Sequence, residues 1–410
     1  MTNGLFMIKQ TLRWIFLTTL MLQGLSACQV KPQHGHHVPH AVADKKNQPR
    51  EAEEAAEEEE EMKAAGFVID LRNLPTLDDI VSELATDRVV YVGEAHTTYG
   101  HHLSQLEIIR RLHEMDSNIA IGMEFFQQPF QQHLDDYIAG RLDEKEMLRK
   151  TEYYIRWAYD YRHYKPILDY AREHGIPLIA LNLPKEITRK VGAEGMDALT
   201  EEERAQIPDD IDESDSRYKK RIKSVFYQHP HGEGRTFENF MQVQLLWDEG
   251  MAERAAAYLL QHPKRRLVIL AGIGHLVEGT GIPQRLNRRV PVKSSIVLPA
   301  GSVEVRPGVS DFLLYPEDAK LPPAGRMGIL LAEGGKAVVR GVLPDSPADQ
   351  AGLKKEDVIL SLNGVSTEML VDFRIFLMDK NPGDRLDVLV RRKGFFFGEN
   401  EIVLELELGE

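Results

Sequence analysis

For most of its length the sequence predicts an α/β fold, a mainly parallel sheet flanked by helices with a helical insertion, followed by a smaller second unit. Three observations carry that reading. Four stretches, residues 89–92, 119–123, 177–181 and 267–271, are apolar almost throughout, as strands buried on both faces require. Segments with helical spacing separate them, the alternation that builds parallel sheets with right-handed crossovers. Each stretch also runs into polar groups: Glu94 and His96 behind Gly93, Glu124, Asn182, and His275 behind Gly272. In open parallel sheets ligands collect at the carboxyl ends of strands, where side chains converge. Glu94, His96, Glu124, Asn182 and His275 are therefore the candidates for one shared site, with the two G-x-x-H histidines expected to act as a unit.

Composition sets the outer limits. A chain of 410 residues, 42% hydrophobic and 28% charged, can bury more than one core. A net charge of −14 argues against nucleic acid as a partner, because phosphates need a basic face. Part of that charge is local, since eight of the 64 acidic residues fall in residues 51–61.

The first stretch is an address. Lys9 and Arg13 precede an apolar run, residues 14–22, and Leu25-Ser26-Ala27-Cys28 follows. This reads as a secretory signal peptide over residues 1–27, too short to span a bilayer, which takes about 20 apolar residues. With the only cysteine of the chain at its end, it resembles a bacterial lipobox. That resemblance implies lipidation of Cys28 with several acyl chains, palmitate among them, and stable membrane anchoring in the cell envelope. Gln29 stands where aspartate would retain the protein at the inner membrane, so the outer membrane is the expected destination. Residues 28–66 form a tether that contains His34, His36, His37 and His40 and then the glutamate run; it is too polar to offset its chain entropy by burial. The four histidines either catch a transition metal or haem loosely or are simply solvated.

The first folded unit is expected over residues 67–320. Thr76 or Asp78 caps a helix that leads into the 89–92 strand, and Leu103, Leu106, Ile109 and Leu112 mark the next helix. Residues 129–170 read as a helical insertion rich in aromatics, with Tyr153, Tyr154, Trp157, Tyr159, Tyr161 and Tyr164 close together. Gly175 ends a helix before the 177–181 strand. Residues 208–216 read as an acidic loop and 240–260 as a helix; residues 296–299 and 310–315 read as closing strands. A short Pro-rich joint, residues 321–324, is expected to be crossed by few buried contacts.

Residues 321–410 have another character. Ser346-Pro347-Ala348, Ala351-Gly352-Leu353 and Asp357-Val358-Ile359, ending at Asn363-Gly364 and followed by a helix from about Thr367 to Met378, closely resemble a PDZ domain over its whole length, a small β-barrel-like module. Glu356 departs from the glycine common there. The resemblance implies that a peptide or protein C-terminus adds as a strand to the sheet edge, with its carboxylate held in the loop Arg326, Met327, Gly328 and Ile329.

For the first unit, Gly93-Glu94-Ala95-His96, Met123-Glu124-Phe125-Phe126, Leu181-Asn182-Leu183-Pro184, Trp247-Asp248 and Gly272-Ile273-Gly274-His275 resemble the ChaN-like haem-binding lipoproteins, grouped with Tiki and erythromycin-esterase-like proteins. That resemblance implies haem binding and iron uptake at the bacterial surface. The superfamily's distant members imply the alternative, metal-dependent cleavage of peptides or esters. Chemically, Glu94, His96, Glu124 and His275 suit a divalent metal ion, or a glutamate that deprotonates water beside a charged histidine. Haem would need an apolar slot and an axial His or Tyr, with the tyrosine-rich insertion as one wall and Arg156, Arg162 or Lys165 toward the propionates. H-E-x-x-H, G-x-S-x-G and Walker patterns do not occur. Three functions remain: a haem-binding lipoprotein with a peptide-docking module, a metal-dependent hydrolase, and a non-catalytic envelope adaptor.

Overall fold

Residues 66–157, 159–228, 236–332, 335–367, 369–394 and 398–410 are described by a computed structural model. Residues 1–65, which hold the expected signal peptide, Cys28 and the histidine and glutamate tracts of the expected tether, lie outside the described residues.

Buried structure begins with helix α1 (Leu77–Leu84), closed at its start by a reciprocal capping box. The Thr76 hydroxyl accepts from the Asp79 N–H, and the Asp79 carboxylate accepts from the Thr76 N–H. Strand β1 (Val89–Glu94), helix α2 (Tyr99–Met115) and strand β2 (Ile119–Gln127) follow. The insertion then supplies α3 (Gln131–Ile138), α4 (Glu144–Lys150), α5 (Tyr153–Arg156) and α6 (Lys165–Glu173) before β3 (Leu178–Asn182). Helices α7 (Lys185–Glu194), α8 (Glu201–Arg204), α9 (Ser216–Gln228) and the long α10 (Phe237–Gln261) lead to β4 (Arg266–Gly272). Helix α11 (Ile282–Arg289) and strands β5 (Ser294–Pro299) and β6 (Phe312–Leu314) complete the unit.

The six strands lie in the order β3-β2-β4-β1-β5-β6, and every neighbouring pair is parallel. Strands β1, β2 and β4 are buried at every residue, as their unbroken apolar runs require. Helices α1, α2 and the insertion cover one face; α10 and α11 cover the other. Because β4 sits between β1 and β2, their three carboxyl ends meet at one edge, with Glu94 opposite Gly272. Gly93 is needed for this packing, since a Cβ there would come within 2.5 Å of the Leu298 side chain.

Phe67 to Leu71 add nothing to the core: Val68 is 96% exposed, and the first buried residues are Ile80 and Val81. The folded unit is expected from residue 67, but no strand or helix forms over residues 67–71 to bury their apolar side chains.

The C-terminal unit contains β7 (Ile329–Leu331), β8 (Val339–Val342), α12 (Pro347–Gln350), β9 (Val358–Leu362), β10 (Val365–Ser366), α13 (Leu370–Leu377), β11 (Arg385–Lys393) and β12 (Glu399–Glu407). A four-stranded antiparallel sheet, β10-β9-β11-β12, and the β7-β8 hairpin enclose its core. Helix α13 begins later than the expected Thr367, because Met369 is extended and serves as N-cap.

The joint is crossed by more than the Pro-rich stretch suggests. Ile375 and Met378 belong to the same apolar cluster as Met147, Leu148 and Tyr153 of the insertion. Around that contact Arg149 pairs with Asp372 at 2.7 Å and Lys145 with Asp379 at 2.8 Å. Short insertion helices cannot bury their own apolar faces, and α13 covers α4 and α5.

Candidate functional site

Glu94, His96, Glu124 and His275 come together at the carboxyl ends of β1, β2 and β4. Glu94, 2% exposed, is the last residue of β1. The chain then leaves the sheet, and His96 folds back so that its Nδ1 lies 2.5 Å from Glu94 Oε1. In the neutral ring that contact places the imidazole proton on Nδ1, toward Glu94. The ring of His96 is edged by Trp157 at 4.9 Å and Tyr159 at 4.8 Å between centroids. Trp157 is held in turn by donating from Nε1 to the Tyr164 hydroxyl at 3.0 Å. With 27% of its side chain exposed, His96 forms the open rim. Burial opposes charge on this imidazole, but the Glu94 and Glu124 carboxylates outweigh it and raise its pKa above the ordinary value.

His275 is placed differently. Its Nδ1 lies 2.6 Å from Asp248 Oδ1 and its Nε2 3.3 Å from Glu124 Oε1. Asp248 comes from α10, and its other oxygen accepts from the Tyr218 hydroxyl at 2.6 Å. Burial disfavours the imidazolium, yet the carboxylates of Glu124 and Asp248 overcome it and raise the pKa to about 10. Burial likewise pushes Glu124 up, but His275, His96 and the Gly272 N–H, which donates to Oε2 at 2.6 Å, hold it at about 2. Glu124 and His275 therefore form a buried ion pair at neutral pH. Gly272 gives this approach its room, since a Cβ would stand 2.9 Å from His96 Cε1 and make the ring shift.

One group is left unsatisfied. Glu94 Oε2 is buried without a hydrogen-bond partner among the described residues, and His102 Nε2 is 3.9 Å away. An unpaired buried carboxylate oxygen is costly. Donor atoms of Glu94, His96 and Glu124 all lie within 4.8 Å of one another, close enough to share one cation. Asn182 stands beside the cluster with its amide engaged by main chain: Nδ2 donates to the Glu124 carbonyl at 3.0 Å and Oδ1 accepts from Leu183 N–H at 2.9 Å. It ties β3 to the end of β2.

Asp248, Tyr218, His102 and Trp157 all touch this arrangement; sequence reading quoted Asp248 only within a motif and Trp157 only within the aromatic insertion, and gave Tyr218 and His102 no role. Asp248 adjoins Trp247 in a helix whose buried residues are apolar apart from Asp248 and Glu249; two adjacent carboxylates inside an apolar stretch are the sequence signal that could have pointed to it.

In the C-terminal unit, Gly328 has a φ of 75° and a Cβ on it would collide with Ser346, so the turn into β7 admits only glycine without strain. Arg326 exchanges main-chain hydrogen bonds with Gly409. Strand β7 pairs with β8 alone, leaving its other edge without a strand partner among the described residues.

Comparison with known proteins agrees with this division. A family model described as haem-binding uptake, Tiki superfamily, ChaN, matches residues 80–286, half of the chain, and a PDZ model matches residues 338–392. The chloroplastic Protein RETICULATA-RELATED 5 of Arabidopsis thaliana is 28% identical over 263 residues, 57% of this chain and 34% of that protein. The Serine protease Do-like HtrB of Bacillus subtilis is 39% identical over 85 residues, 20% of this chain and 18% of its own. The chain thus spans about a third or less of these relatives. A solved structure titled as cofacial haem binding to ChaN of Campylobacter jejuni overlays on 58% of this chain and 91% of its own, at 18% identity and a TM-score of 0.48. The chain belongs to the ChaN family of the Tiki superfamily and carries a PDZ domain behind its ChaN-like domain.

Proposed function

We propose that the chain is a lipid-anchored envelope protein that binds haem at the rim of the β1-β4-β2 strand ends, serves iron acquisition, and docks a peptide or protein C-terminus through its PDZ domain. One observation carries the haem reading: His96, partly exposed and edged by Trp157 and Tyr159, has its Nδ1 held by Glu94. A carboxylate behind an imidazole fixes the ring and raises its basicity, the support that metal-ligating histidines use. The residues present fit an axial donor of this kind. His96 would hold the iron, Glu94 would orient the ring, Trp157 and Tyr159 would pack against the macrocycle, and His275, fixed between Glu124 and Asp248, would supply positive charge behind the site. Bound haem supplies iron in a redox-active, water-excluding form.

A second reading has its own support in the orphaned Glu94 Oε2 and the short spacing of the Glu94, His96 and Glu124 donors. These three would hold a divalent ion, whose chemistry is to acidify a bound water for hydrolysis. Titrating the full chain in detergent with haemin, and measuring metal content of the same sample, separates the readings. A Soret shift abolished by His96→Ala supports haem. Stoichiometric zinc or manganese, lost on Glu94→Gln or Glu124→Gln with no Soret response in the native chain, replaces it with the hydrolase. Release from membranes on Cys28→Ala tests the anchor. For the PDZ domain, equal affinity for free-acid and amidated peptides would rule out capture of a terminal carboxylate by the Arg326–Ile329 loop.

A further inference from the structure

Helix α9 (Ser216–Gln228) is anomalous in an acidic protein. It carries Arg217, Lys219, Lys220, Arg221 and Lys223 and no acidic residue, in a chain of net charge −14. Its inner side is accounted for: Tyr218, Ile222 and Phe226, spaced by four, are buried, and Tyr218 and Ile222 pack with Met241 and Leu245 of α10. Tyr218 also donates to Asp248, and Arg221 donates to the Gly274 carbonyl at 2.6 Å, so the helix is pinned to the domain. The outer side is exposed and bears Lys220, Lys223 and Tyr227, flanked by Arg217 and Lys219. Tyr227 is 69% exposed. Asp215 at the helix start accepts from the N–H groups of Arg217 and Tyr218 and lies 3.9 Å from the Arg217 guanidinium, so it serves mainly as a cap.

From this we infer that the outer face of α9 is a docking surface for an anionic lipid bilayer, against which the ChaN-like domain lies. Charge complementarity selects an anionic partner. Tyr227 selects among anionic partners: a phenol with an apolar body and a polar tip belongs at the headgroup boundary, whereas the chain's own acidic tract, residues 51–61, is made of glutamate and alanine and offers that ring nothing apolar of comparable size. The lysines reach headgroups with their stems lying along the acyl boundary. The surface is independent of Cys28, and failure of the anchor would leave it standing.

Hydroxyl-radical footprinting of the full chain tests it, with vesicles of phosphatidylcholine alone or mixed with phosphatidylglycerol. Each basic residue near an anionic surface contributes roughly five-fold in partitioning. Oxidation of Tyr227 is expected to fall several-fold on phosphatidylglycerol vesicles only, and to recover in high salt. The double variant Lys219→Glu, Lys223→Glu should lose that protection while keeping its thermal midpoint and its footprint elsewhere. Equal oxidation of Tyr227 on both vesicle types would overturn the inference. So would protection that needs no vesicle and disappears on deletion of residues 51–61, which would make the acidic tract the occupant.

Discussion

His96 stands at the rim of the site with one ring nitrogen held by Glu94 and 27% of its side chain exposed, whereas His275, one strand away, has a carboxylate on each nitrogen. The difference separates two uses of one side chain. A singly held imidazole keeps a lone pair for a ligand; a doubly held one is a fixed positive charge that neutralises buried acids. The pair converges on Glu124 while being held differently, and comparing variants of each is the test of whether they act as a single unit.

The most severe way to break this comparison is to remove the support. His275→Ala leaves Glu124 and Asp248 buried without their counter-ion, and loss of one partner from a buried pair costs about 3–5 kcal/mol. His96→Ala leaves Glu94 Oε1 buried without its partner and should cost about 1–3 kcal/mol, less than His275→Ala because one carboxylate is orphaned and not two. Urea unfolding of both variants checks this, and equal losses would erase the distinction. Next in size is Glu94→Gln, which keeps the shape but weakens the hold on His96 Nδ1. Haemin or metal affinity should fall about 10–100-fold, with unfolding little changed.

Titration sharpens the comparison further. The folded pKa of His275, about 10, lies above its ordinary 6.5; the stability it contributes is complete below pH 6.5 and is lost as pH rises toward 10. Glu124, held at about 2 against an ordinary 4.5, contributes stability that is complete above pH 4.5 and is lost as pH falls toward 2. Both limbs describe one ion pair and are not summed. In His275→Gln the alkaline limb should flatten, and an unchanged limb would assign it to another group. The smallest expected effect is that of Gly272→Ala, whose added methyl pushes on His96 Cε1. It should weaken ligand binding less than Glu94→Gln does and leave the His275 NMR titration where it was.

Much of this was readable from residues alone. The unbroken apolar runs identified the inner strands, and the polar residues at their ends located the edge where Glu94, His96, Glu124 and His275 meet. Asp248 and Tyr218 were not readable, because they reach the site from helices whose periodicity reports only which face is buried, not which buried group is charged and paired. The different fates of the two histidines were hidden for the same reason: G-x-x-H specifies a turn and a direction, while the carboxylates that decide the ring's role come from elsewhere in the chain. Phe67 to Leu71 misled in the opposite sense, being apolar yet exposed.

The shared cluster of Ile375 and Met378 with Met147, Leu148 and Tyr153 bears on the fate of the protein under proteolysis. A nick within residues 321–324 would not set the PDZ domain free, since apolar contact and the Arg149–Asp372 and Lys145–Asp379 pairs would still join the fragments. Truncation of the chain at the same place would strip α13 from the insertion and display an uncovered apolar patch, the kind of surface that aggregates or recruits chaperones. The C-terminal domain thus doubles as a cover for its neighbour, and loss of the domain would be felt first in solubility.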